Sequence, residues 1–209
     1  SMVLHPPVNV SRFRCDKPRD DFYLSVSRLV PNKRVDLLVR AFNQLGLPLF
    51  VVGDGPERSY LEDLAGPTVH ILGYQNMEKV ANLMSQCRGF VYAGIEDFGI
   101  APVEAMASGA PVIAFAKGGI LDTVKCFQHS PDKGATGLLF SYQTVKSLVE
   151  AIEFFEKKQL WKDLDPELIR DWANSFSQDS FKFRFEKAIN RAWGEHINSC
   201  DIAASDLKS

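Results

Sequence analysis

Two carboxylates with seven residues between them, Glu96 and Glu104, flank the segment Asp97-Phe98-Gly99-Ile100 and are the best candidates for chemistry in this chain. The stretch from Ile95 to Ala114 reads as loop, helix, turn and strand. Pro102 suits the first helical position, where its missing N–H would have no partner. Gly109 can take the left-handed conformation that ends the helix, and Pro111 stops any continuation. The first turn then presents the backbone N–H groups of Phe98, Gly99, Ile100 and Ala101, which no helical carbonyl satisfies. Such an end carries partial positive charge and suits a phosphate. Carboxylates beside a phosphate repel it unless they accept hydrogen bonds from attached sugar hydroxyls, so the combination points to a sugar nucleotide. The structural alternative is that Glu104 complements the helix dipole or bonds back to the cap, and that Glu96 is a solvated loop acid.

Arg28 and Lys33 fall at the end of a predicted strand and the start of the helix after it. At that edge they could hold a diphosphate, Arg28 through a forked contact and Lys33 as a point charge. Each could equally be a surface charge. Gly53-Asp54-Gly55 matches part of a dinucleotide fingerprint, but position 58 is Arg where the third glycine should fall, so it reads as a turn. There is no Gly-x-x-x-x-Gly-Lys-Ser/Thr, which excludes a P-loop. Gly118-Gly119 either lets backbone approach a ligand or makes a turn. His70, inside a strand pattern, reads as a core or edge residue.

The elements that must position these residues alternate. Strands are predicted at Asp21 to Arg28, Leu49 to Val52, Val69 to Leu72, Gly89 to Tyr92, Val112 to Ala116 and Gly137 to Phe140. Helices follow them: one opened by Pro31-Asn32, one through Tyr60 and Leu64, one from Met77 to Gln86, the short helix after Gly99, another after Gly119, and one from Val145 to Lys157. This order predicts an α/β fold, a doubly wound, parallel, six-stranded Rossmann-like sheet with ligands at the strands' carboxyl ends. From Trp161 to Trp193 only helical spacing remains. Phe181, Phe185, Ala188, Ile189 and Ala192 form one apolar stripe, read as ordinary packing. Residues beyond about Asn198 read as a frayed or disordered end.

At 209 residues, 45% hydrophobic and with 15 Phe, the chain can bury a real core. A net charge of −2 argues against nucleic-acid or membrane binding driven by bulk charge. No apolar run approaches the roughly 18 residues needed to span a bilayer. Cys15, Cys87, Cys126 and Cys200 are dispersed and the four His do not cluster with them, so neither a zinc site nor a disulfide framework is expected, and a reducing cytoplasm is the default. The start, Ser1-Met2-Val3-Leu4-His5-Pro6-Pro7, shows no secretory signal and reads as a non-native remnant followed by a linker.

Four motifs occur in a recognisable order: Ser27-Arg28-Leu29 with Lys33; Val52-Gly53-Asp54-Gly55-Pro56-Glu57; Glu96-x-Phe98-Gly99 with Glu104-Ala105-Met106-Ala107-Ser108-Gly109; and Thr136-Gly137-Leu138-Leu139. From Val3 to Trp193 the chain closely resembles the C-terminal, donor-binding domain of retaining family-4 glycosyltransferases with the GT-B fold. His5-Pro6-Pro7-Val8 resembles the family's interdomain linker. The resemblance implies a linker over residues 1–16, a donor domain over 17–197 whose helical tail starts near 160, and an end over 198–209.

The resemblance also implies roles. Arg28 and Lys33 would bind the donor diphosphate and stabilise it as leaving group. Glu96 would hold hydroxyls of the donor sugar, with backbone amides of Phe98, Gly99 and Ile100 touching sugar and phosphate and Gly118-Gly119 close by. Glu104 would accept the ribose hydroxyls, and Gly73-Tyr74 would border the base. No metal or other cofactor is implied, because the two cations and the helix dipole take that place. GDP-mannose is the favoured donor, with UDP-glucose and UDP-N-acetylglucosamine open. Two departures stand out: Asp122 where the family commonly has Glu, and Arg88-Gly89 where Ala-Asp is often seen, read as a packing difference. The family's N-terminal domain, which binds acceptor, would be the main partner, and any contact with the inner membrane face would pass through it; the family's tail helix crosses back to that domain, which would leave the Phe181 stripe partly exposed. No residue reads as a general base; in such retaining enzymes the donor phosphate is thought to take the acceptor proton. The rival reading is a non-catalytic module that binds a nucleotide sugar or phosphate. A dehydrogenase is disfavoured by the incomplete glycine fingerprint.

Overall fold

The computed structural model describes residues 3–128 and 134–206, with side chains through residue 194. Six strands form one parallel sheet: β1 (Tyr23–Val26), β2 (Leu49–Val52), β3 (Val69–Gly73), β4 (Gly89–Tyr92), β5 (Val112–Phe115) and β6 (Gly137–Phe140). Their order is β3-β2-β1-β4-β5-β6, with Tyr23 beside Leu49 on one flank and beside Gly89 on the other. The chain winds outward from β1 to β3, then returns to β4 and winds the other way. The switch point therefore lies between β1 and β4, where the loops diverge and open a crevice. β4 and β5 are buried at every position, as unbroken runs such as Val112-Ile113-Ala114-Phe115 require when helices cover both faces. β3 is the edge strand, and His70 on it is exposed, in edge-on contact with Phe50 at 5.4 Å.

Helices α1 (Val35–Leu45), α2 (Arg58–Leu64), α3 (Met77–Gln86), α4 (Ile100–Ala107), α5 (Ile120–Thr123) and α6 (Val145–Lys157) connect the strands or follow them. α1 packs on α6, whereas α3 and α8 (Pro166–Asn174) pack on α4. α7 (Leu160–Asp163) and α9 (Gln178–Asp206) complete the chain.

Several expectations are corrected. Pro31–Lys33 is a 3-10 turn, and α1 starts only at Val35, because Arg34 sits in a left-handed conformation (φ 52°) between them. α4 starts at Ile100, so Pro102 is its third residue, still in the turn whose N–H groups lack helical partners. The N-terminal segment is docked: Val8, Val10 and Phe13 are buried, and the Val8 N–H donates to the Phe176 carbonyl at 2.8 Å. The spacing Val8-x-Val10-x-x-Phe13 supplies apolar surface that a free linker would leave in water. The apolar stripe of α9 is not ordinary packing. Phe185 is 44% and Ile189 50% exposed, with Phe181 stacked on Phe185 at 5.7 Å. Helical spacing marks a face but not what covers it. The backbone of α9 is helical through Asp206, where fraying was expected beyond Asn198. A helix already nucleated propagates at one bond per residue, and no proline interrupts it there. Residues 207–209 lie outside the described residues.

Arg88 does more than adjust packing. At the strand ends opposite the crevice it donates to both Glu156 oxygens (2.9 and 3.1 Å) and to Asp21, and stacks over Trp161 at 4.5 Å. The Tyr23 hydroxyl donates to the same Glu156 carboxylate, tying β1, β4 and α6 together.

Candidate functional site

Three loops at the carboxyl ends of β1, β4 and β5 build the site. The first, Ser27-Arg28-Leu29, is held from below by the β2–α2 turn. Leu29 N–H donates to the Asp54 carbonyl at 3.0 Å, and Glu57 N–H donates to the Leu29 carbonyl at 3.1 Å. The Gly53-Asp54-Gly55 turn thus supports the loop that carries Arg28. The second loop, Ile95 to Gly99, leads into α4. The third, Lys117-Gly118-Gly119, lies directly against the second: Gly119 N–H donates to the Glu96 carbonyl at 2.8 Å, and Glu96 and Gly118 form a parallel bridge. Gly119 is buried, and a Cβ there would lie 2.2 Å from the Asp97 carbonyl oxygen and 2.5 Å from Phe98 Cα. Here the glycines meet the protein's own backbone, on the far side of the Glu96 loop.

Between the first two loops lies a cleft of about 360 Å³, lined by Arg28, Lys33, Tyr92, Glu96, Asp97, Phe98, Gly99 and Ile100, with Pro6 at its rim. Lys33 donates to Glu96 Oε1, and so does the Tyr92 hydroxyl. Burial first, then the nearby Arg28 charge, pushes the Lys33 ammonium below the usual lysine range. The Glu96 contact works against both. Arg28 is exposed, lines the same cleft and makes no ion pair among the described residues. Glu96 is engaged by Lys33, while Arg28 and Asp97 both line the open part of the cleft beside the first turn of α4. An unpaired guanidinium and the unmatched N–H groups of a helix start both suit an anion there.

The structure brings Arg28, Lys33, Glu96, Phe98, Gly99 and Ile100 together, and leaves others of the expected set apart. Glu104 is outside the cleft lining, a turn further along α4, which packs there on the 3-10 turn Val10–Arg12. Burial raises its carboxyl above the usual carboxylate range, and the Arg12 charge partly offsets this. Gly73 ends β3 and its carbonyl accepts from Gly53 N–H at 2.9 Å; Tyr74 beside it is 77% exposed. Asp122 is exposed in the first turn of α5.

Two participants had no signal in the sequence. Tyr92 reads as a strand residue, and its hydroxyl reaches Glu96 only because β4 ends at the cleft. His5 stacks on Phe98 at 5.5 Å and contacts Phe176 edge-on at 5.8 Å, which anchors the N-terminal segment to the loop before α4. A larger crevice of about 470 Å³ lies between the N-terminal segment and α3, lined by Arg12, Arg14, Asp16, Lys17 and Glu78 among others. Its charged lining is three cations and two carboxylates, and Met77 and Glu78 bring the first turn of α3 there, where the Asn76 side chain caps the Lys79 N–H.

The family described as glycosyl transferases group 1 matches residues 11–174, and the chain belongs to that family. An uncharacterized glycosyltransferase of Methanocaldococcus jannaschii is 30% identical over 175 residues, which cover 81% of this chain and 46% of the relative. A GDP-mannose-dependent alpha-mannosyltransferase of Corynebacterium glutamicum is 32% identical over 127 residues, 60% of this chain and 29% of that one. Among solved structures, Anabaena HepE in complex with UDP and glucose superposes with a TM-score of 0.73 at 20% identity, over 90% of this chain and 56% of that one. Sucrose-phosphate synthase from Thermosynechococcus elongatus gives 0.73 at 24% identity, over 92% and 52%. The fold is therefore that of one half of these glycosyltransferases. The chain spans about half the length of the first of these relatives and of both structures. Among the described residues no helix is long and apolar enough to cross a membrane.

Proposed function

We propose that this chain is the donor-binding half of a retaining hexosyltransferase that takes mannose from GDP-mannose. The observation that carries the reading is an Arg28 without an ion pair among the described residues, lining one cleft with the first turn of α4 and the Lys33–Glu96 pair. Relatives named as GDP-mannose-dependent support the choice of donor. Arg28, Lys33 and the N–H groups of Gly99, Ile100 and Ala101 hold the diphosphate. As the bond from sugar C1 to the diphosphate oxygen breaks, negative charge grows on that oxygen, and these donors are already aimed at it. Glu96 accepts hydrogen bonds from hydroxyls of the sugar. Glu104 reads the ribose, and Gly73-Tyr74 border the base. The acceptor oxygen attacks C1 from the side of the departing diphosphate and its proton passes to a phosphate oxygen. The acceptor comes from a partner domain, so the chain alone binds donor without transferring it. No metal is assigned a part.

Calorimetric titration with GDP, UDP and ADP, each with and without its sugar, tests this. The reading expects binding of nucleoside diphosphates, tightest for GDP-mannose. No binding at millimolar concentration, with the partner domain supplied, overturns it. A UDP-sugar preference keeps the donor site and replaces the donor. Transfer to an acceptor by the two-domain enzyme separates this reading from a non-catalytic binding module.

Glu104→Gln should show the cost of its role. A carboxyl raised by burial binds a proton more tightly in the folded chain than in the unfolded one. The stability this gives is full below the ordinary glutamate range and is lost as pH rises through the raised value. At pH 7 the charge is buried at a cost, which solvent screening at this partly exposed position limits. The glutamine variant should therefore be more stable at pH 7 by up to about 1 kcal/mol. The gain should shrink as pH falls through that window, as measured by urea unfolding, while nucleotide affinity drops about two- to tenfold.

A further inference from the structure

Glu96 is held on one side only. Its Oε1 accepts from both the Tyr92 hydroxyl and the Lys33 ammonium, and Oε2 has no hydrogen-bond partner among the described residues. Its main chain is fixed by the Gly119 N–H, so the direction of the carboxylate depends on these two side-chain donors. They are not equivalent. Lys33 is a cation, and an entering diphosphate competes with Glu96 for it. Tyr92 is 3% exposed and carries no charge that a phosphate could draw away. Burial pushes its hydroxyl up to about 12, so it remains a proton donor at every physiological pH.

We propose that Tyr92 is a positioning residue that turns the free oxygen of Glu96 toward the sugar and thereby sets the preference for a sugar nucleotide over the bare nucleotide. The proposal rests on the reading of Glu96 as the sugar contact given above. Neighbouring contacts fit it. Tyr92 ends β4, whose residues are all buried, so its ring is held in place and the strand delivers its hydroxyl to the cleft it lines. With Oε1 taken, hydroxyl groups of the ligand find one acceptor oxygen in a single orientation.

The test titrates the wild-type chain, Tyr92→Phe and Glu96→Gln with GDP and with GDP-mannose, and compares the affinity ratios. The wild type should favour GDP-mannose. Glu96→Gln should remove that preference, and Tyr92→Phe should reduce it two- to tenfold, with the loss confined to the sugar nucleotide. Tyr92→Phe keeps the ring, so thermal unfolding within a few degrees of wild type should accompany the change. A preference intact in Tyr92→Phe but lost in Glu96→Gln overturns the role of Tyr92 and leaves the sugar contact standing. Equal weakening of GDP and GDP-mannose in Tyr92→Phe also overturns it, because the hydroxyl would then serve the phosphate side or the fold. A preference unchanged in Glu96→Gln removes the sugar reading itself, and the role of Tyr92 with it.

Discussion

Arg28→Ala should weaken nucleoside diphosphate binding about 10- to 100-fold, the 1.5–3 kcal/mol of a hydrogen bond to a charged group. The side chain is exposed and makes no ion pair among the described residues, so its removal takes away a ligand contact and little else. Unfolding free energy should stay within about 0.5 kcal/mol of wild type, as for surface substitutions generally. Affinity should also depend less on salt in the variant, since one of the charges screened by ions is gone. Lys33 is a different case. Lys33→Ala removes a phosphate contact and leaves Glu96 without the cation it pairs with, so a carboxylate faces the incoming diphosphate. The loss should equal or exceed that of Arg28→Ala. Calorimetry of both variants with one nucleotide makes the comparison.

Gly119→Ala is the second large effect, and it acts through backbone. The added methyl would have to occupy space 2.2 Å from the Asp97 carbonyl oxygen and 2.5 Å from Phe98 Cα. Neither neighbour is a flexible side-chain end that could step aside. Relief requires the Glu96 loop to lift away from Gly118-Gly119, breaking the 2.8 Å bond from Gly119 N–H to the Glu96 carbonyl. Overpacking of this kind costs about 1–3 kcal/mol, and occasionally more. Because the displaced loop also carries the first turn of α4, the folded variant should show no nucleotide binding at concentrations that saturate the wild type. Urea unfolding and calorimetry on the same preparation check both parts. A variant of full stability that binds normally would mean that the loop yields freely.

Most of the fold could be read from the chain because its signals are local. Runs such as Val112-Ile113-Ala114-Phe115 between glycines and prolines mark buried strands, and their alternation with helices leaves few topologies. The site was legible as a set of residue types, but not as pairings. Lys33 and Glu96 are 63 positions apart, each on a loop, and nothing in either neighbourhood says that they meet. Nor could spacing show that Glu104 would lie beyond the lining of the cleft with Arg12 as its nearby counter-charge. Glu96 lies in the loop before α4 and Glu104 in its second turn, and the partner of each comes from tertiary packing. For the same reason the α9 stripe predicted a face without its cover. The docked segment from Val8 to Phe13 was hidden by Pro6 and Pro7 before it, which suggested a linker, while three apolar residues tied it to the core.

The central claim is that a diphosphate binds where Arg28, Lys33 and the first turn of α4 converge. Amide chemical shifts of the isotope-labelled chain during a GDP titration test it most directly. The account predicts that the largest changes fall on Gly99, Ile100 and Ala101, with Arg28 and Lys33 following at the same midpoint. Changes concentrated instead on Arg12, Arg14 and Lys17, or no change at millimolar GDP, would contradict it.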